Sequence, residues 1–280
     1  MTDHHRTRRR TGQALVVIAL AIGALASLFP IAWIALTSVK VPRDYFAKPF
    51  QWFPDTITFE HYARLFGDLG GAQAIGNSLL ISIGSMLLTL IVSVPAAYAI
   101  ARARAGILRK APITVLALRA LPPVILLIPL YLVYSALGLL DTYGGLILAF
   151  STFNVPFAIW MLRGFFQDFP LEVQEAAQID GLSELGSLLR IVVPMITPAV
   201  VVVAFFAFLA SWNELMLSVT FTGQHTATVT KLISSLLQSP TGAEFGAAAA
   251  IALVSMVPGI LLVIFCQRFL VQGLTAGSVK

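Results

Sequence analysis

Phe169 to Pro198 reads Phe-Pro-Leu-Glu-Val-Gln-Glu-Ala-Ala-Gln-Ile-Asp-Gly-Leu-Ser-Glu-Leu-Gly-Ser-Leu-Leu-Arg-Ile-Val-Val-Pro-Met-Ile-Thr-Pro. It is a mixed polar stretch set between two apolar runs. Pro170 suits the first turn of a helix, where a missing N–H costs nothing. Leu171, Val173, Ala176, Ala177 and Ile179 continue that helix, and Glu172 and Glu175 favour its positive N-terminal end. Gly181 supplies the left-handed conformation that stops it. Ser183 caps a second helix through Leu185, Leu188, Leu189 and Ile191. Pro194 then opens a wholly apolar segment. The stretch is a helix-turn-helix elbow, and an elbow between two apolar runs decides the fold class: an all-α integral membrane protein.

The composition agrees. Of 280 residues, 58% are hydrophobic and 11% charged, against roughly a quarter charged in soluble domains. One cysteine, Cys266, excludes an internal disulfide. Four histidines lack metal-ligand spacing and read as scattered surface groups. A net charge of +5 in such a chain records orientation rather than nucleic-acid binding.

Six spans are expected, near residues 13–38, 72–101, 111–136, 142–162, 194–221 and 245–267, within a membrane domain of 13–270. Residues 1–12 form a basic N-terminal segment and 271–280 a tail. The first run continues to Leu36, past the length of a signal-peptide core, so a retained span is expected. The interval Val41 to Gly71 holds Trp52, Phe53 and Tyr62, which suit a membrane–water boundary. The short link Gly138 to Asp141 makes the third and fourth spans a hairpin. Small residues Gly246 to Ala250 allow close packing of the sixth.

Basic residues set the orientation. Arg6, Arg8, Arg9, Arg10, Arg102, Arg104, Arg109, Lys110, Arg163, Arg190, Arg268 and Lys280 lie on one side; Lys40, Arg43, Lys48, Arg64 and Lys231 lie on the other. This asymmetry places both termini and the elbow, residues 163–193, in the cytoplasm.

No Gly-x-x-x-x-Gly-Lys-Ser/Thr occurs, so the chain is not expected to bind ATP in a P-loop; energy for active transport must come from a partner. No hydrolase constellation appears in the spans. Charges inside spans cost roughly 2.5–3.5 kcal/mol each on insertion scales, so each needs a reason. Arg119 lies a few turns into the third span. Glu214 stands on the order of 30 Å beyond Pro194 along the fifth, near its outer end. It belongs to Ser211-Trp212-Asn213-Glu214, where a ring adjoins carboxylate and amide groups, as a polyhydroxylated ligand requires. Interfacial anchoring explains the same residues, and both readings stand. Asn77 and Asn154 are further pathway candidates, although a helix–helix hydrogen bond is the plainer use for either.

Glu175-Ala176-Ala177, Asp180-Gly181, Ile191 and Pro194 resemble the EAA loop of binding-protein-dependent ABC importers. Pro122-Pro123, Leu137 to Tyr143, Phe153 to Trp160, Ser211 to Glu214 and the tail Gln272 to Lys280 are similar to the MalG-like carbohydrate-importer permeases. The resemblance covers nearly the whole chain from the first span onward. It implies the type I importer permease fold, with the elbow as a coupling helix in a groove of a cytoplasmic ATPase. Glu175 would then pair with a basic group there, Ala176 and Ala177 allow close approach, and Asp180 and Gly181 fix the turn. The implied assembly is a heteromer in the bacterial inner membrane. It comprises this permease, a second permease, two ATPases holding ATP and Mg, and an extracytoplasmic sugar-binding protein. This chain itself would carry no cofactor and catalyse nothing. In MalG the last outer loop reaches into the binding protein; Thr222 to Glu244 holds that place here without a motif that secures the role. A different solute such as a glycerol phosphate, or ion-coupled secondary transport, are the alternative readings.

Overall fold

The computed structural model describes residues 2–49, 51–103, 123–240 and 242–276. Among them all regular structure is helical, apart from one antiparallel bridge between Lys40 and Ile57. The helices are α1 Thr2–Ser38, α2 Glu60–Gly67, α3 Gly71–Arg102, α4 Pro123–Ala136, α5 Tyr143–Asp168 and α6 Leu171–Ile179. They continue as α7 Glu184–Met195, α8 Thr197–Trp212, α9 Met216–Phe221, α10 Val229–Leu237 and α11 Phe245–Ala276.

Four described segments are long and apolar enough to cross a membrane: Leu15–Ser38, Gly71–Arg102, Tyr143–Asp168 and Phe245–Phe269. A fifth arises if α7 and α8, bent by 84° at their junction, count as one. Val124–Ala136 is apolar but shorter, and Ala111 to Pro122 of the expected third span lies outside the described residues. Such segments must be helical, because lipid offers no partner to a free backbone N–H or C=O.

The expected fifth span, 194–221, is not one helix. Its N-terminal part belongs to α7. A second break after Trp212 separates α8 from α9. The reason is local competition for backbone groups. Asn213 Nδ2 donates to Leu209 O at 2.8 Å, closing α8, and Glu214 Oε1 accepts from the Leu217 N–H at 3.0 Å, opening α9.

The described chain divides into two compact units. One holds Met1–Gly71 and Ile233–Met256. Its α1 leaves Leu15, Leu20, Leu25 and Phe29 exposed, as a lipid-facing helix does. Lys40 is buried in this unit, donating to Gln51 O at 2.7 Å with its ammonium 5.0 Å from the Trp33 ring. Arg64 pairs with Glu244 at 3.0 Å. His61 is a correction to the expectation of surface histidines: it is buried, with Nε2 2.9 Å from Lys40 O and 3.0 Å from Tyr45 Oη. Gly246 makes this possible, since a Cβ there would lie 2.3 Å from His61 Nε2.

The other unit holds Ala72–Leu232 and Val257–Lys280. Its core contains Val94, Tyr98, Leu162, Phe166, Leu188, Val192 and Val203. A second cluster joins Ile81, Tyr134, Leu146, Phe150, Leu217 and Phe221. Along α3, Ser78, Ser82, Ser85, Thr89 and Ser93 are all buried and recur every three or four residues, which puts them on one face. Small side chains let helices approach and hydroxyls bond across them. Gly84, on the same helix, admits Ile147 so closely that a Cβ would meet it at 2.5 Å. The hairpin link carries left-handed backbone at Gly138 (φ +66°) and Asp141 (φ +52°), and the Thr142 side chain caps α5 by accepting from the Gly145 N–H.

Candidate functional site: the elbow and the α5–α8 cavity

The elbow forms as its residues dictate. Phe169 and Pro170 are extended, and α6 begins at Leu171. At its end the Leu182 N–H donates to Ala177 O at 3.1 Å and the Gly181 N–H to Gln178 O at 3.0 Å. That double closure needs a left-handed residue, and Gly181 stands at φ +91°. Ser183 Oγ then accepts from the Gly186 N–H at 3.1 Å and starts α7.

Pro194 does not open the apolar helix. It lies inside α7, two residues after a π turn over Leu188–Val192. Lacking an N–H, it leaves Arg190 O without its helical donor. The chain widens before it, so the Val193 N–H reaches Leu188 O. The 84° bend falls at Ile196, and Thr197 with Pro198 begins α8.

Burial sorts the elbow residues. Glu175, Ala176, Asp180, Gly181 and Pro194 are exposed, and Ile191 is half-buried. Ala177 is turned into the chain, so the close approach it permits is to its own core; Ala176 is the alanine on the open side. The open side also carries Ile179, 87% exposed, with Leu171, Leu185 and Leu189. Glu172, Glu175, Asp180, Glu184 and Arg190 of the same elbow are exposed as well. Exposed apolar side chains among charged ones are the form of a protein-docking surface.

Two residues that the sequence reading passed over hold the elbow to the spans. Gln174, buried, donates through Nε2 to Tyr98 Oη at the end of α3. Tyr98 packs edge-on against Phe166 at 5.7 Å, and Arg102 Nη2 reaches Phe169 O at 3.5 Å. The available signal was spacing: Gln174 and Ala177 lie three apart, on one face of α6.

The pathway candidates are not brought together. Asn154 Nδ2 donates to Ser211 Oγ at 2.9 Å and to Ala207 O at 3.3 Å, while Ser211 Oγ lies 3.1 Å from Ser85 Oγ. Asn154 thus ties α5 to α8 and to the hydroxyl stripe of α3. It also lines a 360 Å³ cavity with Asn213, Phe157 and Phe206. Trp212 and Glu214 are not among the lining residues. Trp212 is buried and stacked on Phe208 at 5.6 Å, so one of its faces is already covered. Glu214 caps α9. Asn77 donates to His225 O and Ala227 O, both at 2.9 Å, and accepts from Tyr143 Oη at 2.8 Å. Arg119 lies outside the described residues. Among the described residues no group of His, Cys, Asp or Glu could hold a metal ion.

Together these features define a multi-pass helical membrane protein with a helix-turn-helix elbow between two apolar runs. The chain belongs to the family of binding-protein-dependent transport system inner membrane components, whose model matches residues 93–276. It is 33% identical over 270 residues to the sulfoquinovosyl glycerol transport system permease protein SmoH of Agrobacterium fabrum, covering 96% of this chain and 95% of that one. It is also 33% identical to the trehalose transport system permease protein SugB of Mycobacterium tuberculosis, covering 97% and 98%. Its fold matches a chain in the crystal structure of a bacterial ABC transporter involved in import of the acidic polysaccharide alginate, with TM-score 0.73, 22% identity and 94% and 97% coverage. It is thus a transport subunit of the ABC importer type.

Proposed function

We propose that this chain is one of two permease subunits of an ATP-driven importer, and that it passes a sugar from an extracytoplasmic binding protein into the cytoplasm. The observation that carries the reading is 33% identity, over nearly the full length, to permeases named for trehalose and for sulfoquinovosyl glycerol. In this reading six spans cross the inner membrane, and the basic-residue asymmetry supports placing both termini in the cytoplasm. The elbow, 163–193, seats in a groove of one of two ATPase subunits, which bind ATP and Mg. Its exposed apolar side chains and predominantly acidic charge fit a groove with an apolar floor and basic side chains.

Closure of the ATPase pair would displace the elbow. Gln174 and the buried core beneath it would pass that displacement to α3, α5 and α8, shifting the population between two packings of the spans. The cavity between α5 and α8 suits a polyhydroxylated ligand: Asn154 and Asn213 supply amide donors and acceptors, and Phe157 and Phe206 supply apolar faces.

The test is reconstitution of the complex in liposomes with its binding protein, followed by a screen of trehalose, maltose and sulfoquinovosyl glycerol. Uptake that needs ATP and no ion gradient is the expected result. Uptake driven by an ion gradient alone would overturn the reading. Binding of glycerol phosphates and no sugar by the binding protein would replace the substrate class.

A further inference from the structure

The segment 221–229, which joins α9 to α10, has almost no regular structure between those helices, yet many of its polar groups are fastened. Much of that fastening comes from one carboxylate. Asp141 Oδ1 accepts from the Gly223 N–H at 2.7 Å, the Thr226 N–H at 3.0 Å and Thr226 Oγ1 at 2.7 Å. Its Oδ2 accepts from the His225 N–H at 3.3 Å, and its own N–H donates to Phe221 O at 2.8 Å. Asp141 itself holds left-handed backbone, a conformation uncommon outside glycine. Gly223 is pressed against it so closely that a Cβ would lie 2.3 Å from Oδ2.

Two further elements hold the same segment. Lys231 Nζ donates to Thr222 O and to Gly223 O. From α3, Asn77 takes His225 O and Ala227 O, and Ser78 Oγ accepts from the Val229 N–H at 2.8 Å. The elbow lies at the opposite ends of α3 and α5, joined to them through the core around Phe166 and Val192.

We propose that Asp141 is a positioning residue for transport: it locks the α4–α5 hairpin to the 221–229 segment, so that the outer ends of α3, α5 and α9 travel as one body when the elbow moves. The inference rests on the import reading above. A push at one end of a helix bundle turns the far end only if the helices there cannot splay. Hydrogen bonds to an ionised carboxylate are shorter and stronger than neutral ones, and four of them converge here. Without them the push would be lost in opening the link, and ATP would be hydrolysed without transport.

The test uses the complete complex in liposomes, with radiolabelled trehalose or the glycoside that passes the screen above. Asp141→Ala should retain the ATPase subunits and their ATP hydrolysis but lose uptake at least tenfold. A covalent lock should replace the hydrogen-bonded one. Cβ atoms at 141 and 223 would stand 3.2 Å apart, a few tenths of an ångström under usual disulfide spacing. Asp141→Cys with Gly223→Cys, in a Cys266→Ala background, should therefore transport within about threefold of the parent when oxidised, and lose that uptake on reduction. A purely structural role would lower abundance, hydrolysis and uptake together and would not answer to a reductant. If Asp141→Ala does not assemble, the oxidised and reduced double variant decides alone. Uptake by assembled Asp141→Ala within twofold of wild type would overturn the lock. So would a disulfide that forms and blocks uptake which the reduced protein performs, since the segment must then part from the hairpin. A wild-type complex without ATP-dependent uptake would overturn the import reading itself, and the lock with it.

Discussion

Asn154 and Glu214 are both polar groups in apolar runs, and the fold spends them differently. Asn154 is buried and bonded across helices, beside a cavity. Glu214 is a cap: one oxygen holds the Leu217 N–H, and its backbone carbonyl takes Ser218 Oγ and Thr230 Oγ1. Glutamine keeps an oxygen for the cap and removes only the charge. Glu214→Gln should therefore transport within about twofold of wild type, whereas Glu214→Ala should destabilise the complex by about 1 kcal/mol, seen in thermal unfolding in detergent. A large uptake loss in Glu214→Gln, with stability unchanged, would return the carboxylate to the pathway. Asp141 sets a pH expectation. Burial raises its pKa, but the Thr226 hydroxyl and the Gly223, Thr226 and His225 N–H groups outweigh that and hold it down at about 2. A depressed carboxylate pKa contributes stability that is fully present above the ordinary value and lost only as pH falls through the folded one. The deficit of Asp141→Ala should thus be constant from about pH 5 to pH 8, as uptake and unfolding measured across that range will show.

The elbow is an element whose parts are set by single residues but whose use depends on their joint geometry. Gly181 at φ +91° aims α7 away from α6. Open space surrounds it, so no contact would oppose a side chain; the backbone alone would. A β-carbon there costs roughly 1 kcal/mol or more, most for a β-branched residue. Gly181→Val should leave membrane abundance normal, since insertion depends on apolar runs the change does not touch. Uptake should fall at least tenfold, with the ATPase detached or its hydrolysis freed from the binding protein. Pull-down of the ATPase separates those two states. Full uptake at normal abundance would remove the elbow from the coupling path.

At the scale of the molecule the open matter is sidedness. Ile179 is the natural reporter, because it is 87% exposed on the elbow and takes no part in the caps at Gly181 and Ser183. In a Cys266→Ala background, Ile179→Cys should react with a membrane-impermeant thiol reagent in inside-out vesicles and not in intact cells. Labelling from outside would invert the topology and remove the ATPase from the elbow. The same scale explains the two breaks between residues 194 and 221. A span that bends at Ile196 and ends at Trp212 is tolerable only where neighbouring helices satisfy the freed backbone groups. Here the elbow lies on one side of it and the α9–α10 segment on the other.

By itself the sequence determined the membrane class, the hairpin at Gly138 to Asp141, the cap at Ser183, and the left-handed stop at Gly181. All of these are local: apolar length, a missing β-carbon, a hydroxyl beside a free N–H. It also carried the family, through Glu175 to Gly181 and the segments quoted with it. Only the tertiary structure decided which side of the elbow faces out, and with it that Ala176 is open and Ala177 is not. It decided that Pro194 sits inside a helix, because a π turn ahead of it absorbed the lost hydrogen bond. It decided that Trp212 stacks on Phe208, that Asn154 and Asn213 share a cavity while Glu214 does not, and that Asp141 gathers donors from more than 80 residues away. For Asn154 and Asp141 the reason is the same. A polar side chain in an apolar run must find a partner, and chain spacing says that it must but not where, because the partner lies on another helix.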